Sequence, residues 1–273
     1  MQEFFDNPVV QGGVAPFVVA LAVAFAFFAV RLGGLALAAA LATAAYLLGG
    51  VVFPPVSAQQ KVLVISLAMP VAGVLVDLAF KPARSAGPLL GLVVGALALW
   101  VGINVLKQKE LAAMLVTGAG LVALAGWQTA ALFALRDQPI RAGAAALALG
   151  LGIAVCALLS ASGSYALYGA SIGAGAGAFL LVQVLLGRSI AAGATFTLVA
   201  GAACGLLLTG AVLASPLPWY AAALLALIPA VVRLPLPQGG VWLQAIAACA
   251  YAGIAALAAC LLAWPEVQQR LGL

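Results

Sequence analysis

The sequence predicts an all-α, polytopic integral membrane protein with about ten transmembrane helices and very short loops. Of its 273 residues, 67% are hydrophobic and only 6% are charged, whereas soluble domains carry roughly 25% charged residues. Its apolar runs approach or reach the length of about 20 residues that a helix needs to cross the hydrocarbon core. The net charge of +5 comes from basic residues that lie singly or in pairs between these runs. That placement is typical of residues that set membrane orientation.

Ten candidate spans follow from the apolar runs. Their bounds are 14–30, 33–53, 61–80, 88–106, 111–135, 141–160, 164–186, 189–213, 219–232 and 241–264. The chain is therefore expected to consist of an N-terminal interfacial segment (1–13), a transmembrane helical domain (14–264) and a C-terminal tail (265–273). The acidic start lacks the positive region of a cleavable signal peptide, so we expect the N-terminus to be retained.

Each span ends at charges, prolines or small polar residues, which interrupt a membrane helix. In chain order the breaks are Arg31, Pro54 with Pro55, KPARSAGP at 81–88, the charged group at 107–110, RDQPIR at 136–141, ASGS at 161–164, Arg188, SPLP at 215–218, PLPQGG at 235–240 and PEVQQRLGL at 265–273. All of these breaks are shorter than ten residues, which predicts short loops and no separate soluble domain.

The seventh and eighth spans carry small residues at four-residue intervals. Because an α-helix has 3.6 residues per turn, this spacing keeps small residues on one face, and such faces allow close helix contact in lipid. We therefore expect these two spans to form a tightly packed hairpin at the centre of the protein. The glycines expected in its helix contacts are Gly169, Gly173, Gly177, Gly201 and Gly205.

Basic residues are unevenly divided between the two sides of the membrane. Seven follow odd-numbered spans, namely Arg31, Lys81, Arg84, Arg136, Arg141, Arg188 and Arg233. Four lie on the other side, namely Lys61, Lys107, Lys109 and Arg270. Since cytoplasmic loops carry the excess of Lys and Arg, the count predicts a multi-pass protein with both termini outside the cytoplasm. We expect the membrane to be a bacterial inner membrane.

Several classes of chemistry lack the residues they need. The sequence has no histidine, which removes histidine-based acid–base catalysis and most catalytic metal sites. Its four cysteines lie within apolar runs without CxxC spacing, so small packing residues are expected rather than a metal or disulfide framework. A lipid-modifying enzyme is therefore the weakest interpretation, and no cofactor or metal is expected. No basic stripe or aromatic platform indicates nucleic-acid binding.

A few polar side chains within the spans are candidates for a solute or ion pathway, because polar groups in lipid are costly. Asp77 is the only acidic residue inside a predicted span. It is read either as the partner of Lys81 and Arg84 in an interfacial ion pair or as a proton or cation ligand. The uncharged candidates are Gln128, Tyr168, Ser171 and Gln183. Hydrogen bonds between helices are the alternative role for these four.

Two functions fit these observations. The first is a small multi-spanning transporter or channel for a small solute or ion. In span count and length the layout is similar to the drug/metabolite transporter superfamily, but that family's sequence pattern is absent and the predicted termini lie on the opposite side. The second is a non-catalytic hydrophobic subunit of a larger membrane complex. The expected partners are the lipid bilayer and either other membrane subunits or further copies of this chain.

Overall fold

The computed structural model describes residues 7–29, 32–51, 53–79, 86–214 and 217–271. Within these ranges all regular structure is helical and there is no strand, so the predicted all-α membrane fold is confirmed. A π-helical turn, Val10–Val14, leads into the first of ten helices. These are α1 (Ala15–Ala26), α2 (Leu35–Leu47), α3 (Ala58–Ala79), α4 (Ala86–Leu106), α5 (Leu111–Phe133), α6 (Pro139–Leu159), α7 (Gly163–Leu186), α8 (Gly193–Ala214), α9 (Trp219–Val231) and α10 (Val241–Leu271).

Each predicted span coincides with a helix, but the helices differ in length. In the described ranges seven are long and apolar enough to cross a membrane, namely α3 to α8 and α10. The segment Val10–Ala26, α2 and α9 are shorter. Helix α2, for instance, ends before Gly49 and Gly50, whose φ angles of +113° and +79° suit only glycine without strain. By length and composition seven helices thus qualify as full spans, and the three shorter apolar helices occupy the remaining predicted spans.

The described residues near each end of the chain continue the adjacent helices. The helical path into α1 already includes residues 8–14, so the described part of the N-terminal segment is continuous with the first helix. At the other end, α10 extends to Leu271 and so includes most of the predicted tail. Residues 1–6, which contain the two phenylalanines of the predicted interfacial segment, lie outside the described ranges.

Helix α8 is the centre of the bundle. Every residue from Ala194 to Ala211 is buried, whereas only 28% of the apolar stretch of α5 or α10 is buried. Its main neighbours are α3 and α5, and α2, α4, α6, α7 and α9 also touch it. A helix that is apolar on all sides belongs in a core, and the many Ala and Gly residues of α8 let its neighbours come close.

The predicted hairpin of α7 and α8 differs from the observed packing. Helix α7 packs chiefly on α6 and also contacts α1 and α2, while its contact with α8 is minor. Gly169 and Gly173 lie against α6, whereas Gly201 and Gly205 lie against α5. Both glycine faces therefore make close helix contacts, but with other partners. The connection at 187–192 is long enough for α8 to lie at the centre of the bundle and not directly along α7.

Arginines from separate turns gather at one end of the bundle. The Arg136 carbonyl accepts a hydrogen bond from the Gly193 N–H at 3.1 Å. The Arg141 guanidinium donates to the Leu234 carbonyl at 3.1 Å, and Arg233 donates to the Ala131 carbonyl at 3.3 Å. These contacts join the turns that follow the fifth, seventh and ninth helices. These three turns thus meet at one end of the bundle.

The α6–α7 contact yields a test based on two glycines of one helix. A methyl group at Gly169 would lie 2.7 Å from the backbone nitrogen of Ala154, whereas one at Gly177 would lie 3.6 Å from the nearest side-chain atom, on Leu147. We expect Gly169→Ala to lower the free energy of unfolding by about 1–3 kcal/mol through overpacking. Gly177→Ala should leave it unchanged or slightly higher, because alanine favours helix. Thermal unfolding in detergent measures both, and equal stability of the two variants would contradict the close contact.

Candidate functional site

Polar side chains lie against α8 at its start and along its length. Asp77 on α3 contacts the first turn of α8. Further along α8, the backbone of Gln128 and Thr129 on α5 lies beside Gly201. Near its other end, Tyr165 on α7 lies against Gly210. Gly201 follows Gly193 by eight residues, a rise of about 12 Å. The polar groups around the core are therefore at different depths.

Asp77 caps the start of α8 from a distant part of the chain. Its Oδ1 accepts from the backbone N–H of Ala194 at 2.8 Å. Its Oδ2 accepts from the backbone N–H of Thr195 at 3.0 Å and from the Thr195 hydroxyl at 3.1 Å. The first N–H groups of a helix lack partners within the helix, and its dipole favours a negative charge there. The carboxylate meets both requirements and ties α3 to α8.

Gly193 is needed for this cap. Its φ of +66° is a conformation that L side chains rarely adopt. A methyl group at Gly193 would also lie 2.6 Å from Oδ2 of Asp77. The glycine thus allows the chain to turn into α8 and allows the carboxylate to reach the helix end. Lys81 and Arg84, the predicted ion-pair partners of Asp77, lie outside the described residues, so that interpretation stays a prediction.

Gln128 has a fully buried side chain with no hydrogen-bond partner in the described structure. Its exposure is 0%, and neither Oε1 nor Nε2 makes a hydrogen bond. The neighbouring polar side chains have partners, since the Trp127 indole donates to the Ala226 carbonyl at 2.8 Å and the Thr129 hydroxyl to the Ala125 carbonyl at 2.9 Å. A buried amide without partners costs about 1–3 kcal/mol. Gln128 is therefore the clearest unsatisfied group near the core.

The remaining candidates are on α7 and use local partners. The Ser171 hydroxyl donates to the Tyr168 carbonyl at 2.8 Å, and the Tyr168 side chain is buried. Gln183 Nε2 donates to the Phe179 carbonyl at 3.4 Å, and its Oε1 accepts from the backbone of Ile190 at 3.4 Å. Tyr168 and Gln183 are about 22 Å apart along the helix, so the five candidates do not converge on one site.

Lys61 is a buried cation whose environment the sequence did not indicate. It is only 6% exposed. Its ammonium donates to the Trp100 carbonyl at 3.0 Å and lies 5.0 Å from the centre of the Trp100 ring, a cation–π distance. No ion pair of Lys61 with a carboxylate occurs among the described residues. Lys61 is the first residue of a predicted span, so it was counted with the basic residues that flank spans. Its position in the sequence does not show that its side chain is buried.

Ser66 is a second group whose burial only the structure shows. It lies on α3, one to two turns after Lys61, and is 1% exposed. Its hydroxyl has no hydrogen-bond partner in the described structure, although serine in a membrane helix commonly bonds to a carbonyl of the preceding turn. Within the described residues no group of three or more Cys, Asp or Glu side chains could hold a metal ion.

Comparison with protein-family models, curated proteins and solved structures finds no match for this chain. The class of protein is therefore defined by the chain itself, as an all-helical, multi-pass membrane protein built around a buried central helix. Its function has to be inferred from the polar groups around that helix.

The cap on α8 yields a second test. We expect Asp77→Ala to lower the free energy of unfolding by about 1–2 kcal/mol, as loss of an N-terminal cap does. Asp77→Asn should lower the free energy of unfolding less, because the amide oxygen still accepts one hydrogen bond. Asp137→Asn is the control, since Asp137 is 83% exposed and only 3.6 Å from Arg136, a surface pair of little energetic value. Thermal unfolding in detergent compares the three, and wild-type stability of Asp77→Ala would exclude the capping role.

Proposed function

We propose that this protein is a small transporter or channel, without enzymatic activity, for a small polar solute or ion. We further propose that Gln128 belongs to its pathway. The observation that supports this most directly is the wholly unpaired amide of Gln128, buried beside the central helix. Buried polar groups in membrane proteins nearly always have partners. A group that has none among the described residues is suited to a passing or bound polar species.

The chemistry of the amide limits what it can bind. Its carbonyl oxygen offers two lone pairs and its nitrogen two protons, so it suits water, a small neutral polar solute or a partly dehydrated monovalent cation. Its depth is also suitable. Thr129, the next residue, packs against Gly201, about 12 Å along α8 from its start, in a hydrocarbon core about 30 Å thick. Gln128 therefore lies well inside the bilayer.

Lys61 adds a positive charge towards the other end of α8. The ammonium uses one of its three protons on the Trp100 carbonyl. Trp100 is on α4, where Gly102 packs against Leu213 in the last turn of α8. A buried ionisable residue in a membrane protein marks a functional site by default. Lys61 would attract an anion or a solute carbonyl and repel cations, so a neutral or anionic solute fits this end better than a cation.

The alternative function is a non-catalytic subunit of a larger membrane complex, and one surface feature favours it. Helices α4 and α5 border an apolar groove of about 670 Å³. Its lining includes Leu99, Ile103, Met114 and Val122. An open apolar groove on a membrane protein accepts lipid chains or the small-residue face of a partner helix. Purification of the intact particle from the native host in mild detergent separates the alternatives, because a subunit retains other proteins at fixed stoichiometry.

The location that we propose is a bacterial inner membrane with both termini outside the cytoplasm. The excess of basic residues after odd-numbered spans supports this orientation. The contacts of Arg136, Arg141 and Arg233 at one end of the bundle support it as well. This face would then be cytoplasmic, and the end that contains Lys61 would face outward.

The pathway is tested by making Gln128 apolar. The purified chain is reconstituted in vesicles, and fluxes of water, urea, glycerol, chloride, Na⁺ and K⁺ are compared with those of protein-free vesicles. We expect at least one flux that Gln128→Leu lowers about tenfold or more, the effect of roughly 1.4 kcal/mol on the barrier. The same variant should gain about 1–3 kcal/mol of stability, because an unpaired buried amide is removed. A variant that is more stable and less active would separate function from folding.

Thr209→Val is the matched control. Thr209 is fully buried on α8, and its hydroxyl bonds only to the Gly205 carbonyl of its own helix at 2.9 Å. We expect this variant to keep the wild-type flux. Retention of full flux in a stabilised Gln128→Leu variant would remove Gln128 from the pathway. Absence of every flux, together with a stoichiometric partner in the native particle, would favour the subunit function.

A further inference from the structure

Two cysteines from distant parts of the chain meet where α6 packs on α10. The sulfur atoms of Cys156 and Cys260 are 3.7 Å apart, and both thiols are free. Cys204 lies on α8 and Cys249 is 11 residues before Cys260 on α10, a rise of about 16 Å. Cys156 and Cys260 therefore form a distinct pair.

The register of the two helices explains the contact. A methyl group at Gly152 would lie 3.4 Å from Cβ of Ala256, and Cys156 and Cys260 are each four residues further on. Residues four apart share a helix face, so this equal spacing indicates that α6 and α10 run parallel in register. The small residues at Gly152 and Ala256 bring the two backbones close one turn away from the thiols.

We propose that Cys156 and Cys260 are a modification site, a dithiol that an oxidant converts into a disulfide between α6 and α10. Disulfide sulfurs are about 2.0 Å apart, so the sulfurs must approach by roughly 1.7 Å from the present contact. Rotation of the two side chains together with a small shift of the helix ends supplies a movement of that size. The close approach at Gly152 favours the short backbone separation that a disulfide needs.

The reaction proceeds by thiol–disulfide exchange with an oxidant that itself carries a disulfide. Cys260 is half-buried whereas Cys156 is fully buried, so Cys260 reacts first. Its deprotonated sulfur attacks one sulfur of the oxidant, forms a mixed disulfide and releases the other sulfur as a thiol. The deprotonated sulfur of Cys156 then attacks Cys260 and releases the second thiol. The cysteines lose two electrons and two protons, and the oxidant disulfide becomes two thiols.

The position of the pair allows an oxidant to reach it. Cys156 is three residues before the end of α6 at Leu159, about 4.5 Å along the axis. Cys260 precedes Trp264, a residue type that favours the membrane surface, by about 6 Å. In the orientation proposed above, this end faces the oxidising side of the membrane. The dithiol is therefore near the surface and not at the bilayer centre.

The test uses the full-length chain in native membranes and in detergent. Samples are treated with oxidised glutathione or copper–phenanthroline, then denatured without reductant and labelled with a maleimide polymer that adds visible mass to each free thiol. We expect four labelled cysteines in the chain kept reduced with dithiothreitol and two after oxidation. Dithiothreitol should restore all four. Peptide mass mapping should show the segments that contain Cys156 and Cys260 joined.

Two variants make the result decisive. In Cys204→Ala/Cys249→Ala only the pair remains, and oxidation should remove all labelling. In Cys156→Ser labelling of the other three cysteines should persist, and any disulfide-linked dimer through Cys260 should be minor. The proposal is overturned if all four thiols stay reactive after oxidation in both membranes and detergent. It is also overturned if the main product is a dimer that Cys156→Ser still forms.

Discussion

The close approach of neighbouring helices to α8 is the constraint on which the rest of the structure depends. A methyl group at Gly73 of α3 would lie 2.6 Å from Cα of Thr195, and one at Gly201 would lie 2.7 Å from Cα of Thr129 on α5. In lipid there is little hydrophobic drive between helices, so their association depends on such van der Waals contact. Small residues on all sides of α8 allow this contact in several directions and place one helix at the centre.

Because α8 is buried, the polar groups on it and beside it need hydrogen-bond partners within the protein. The cap from Asp77 satisfies two N–H groups at the start of α8 that lack partners within the helix. The Thr197 and Thr209 hydroxyls bond to carbonyls of their own helix. Against this nearly complete pairing, the unpaired amide of Gln128 stands out. Since an unpaired group weakens the fold, its presence is best explained by a ligand or by water. The proposed pathway therefore follows from an exception to the pairing rule, not from an open cavity.

Most helices could be predicted from composition and from the residues that interrupt the apolar runs, but their partners could not. The four-residue spacing of Gly169 and Gly173 correctly indicated a contact face, and α6 rather than α8 occupies it. Almost any Ala- and Gly-rich helix can pack on such a face, so the pattern does not choose between partners. The length of α2 was likewise overestimated, because flanking apolar residues such as Val51 extend the hydropathy signal beyond the helix.

The sequence by itself determined the membrane class, the order of the helices and the location of the basic turns, because each depends on local composition. Only the tertiary structure decided the roles of individual polar residues. It showed that Asp77 caps a helix 117 residues away and that Lys61 is buried against Trp100. It also showed that Cys156 meets Cys260 across 104 residues. These roles depend on which helices are neighbours, and that choice is made by packing of the whole bundle, which no local pattern records.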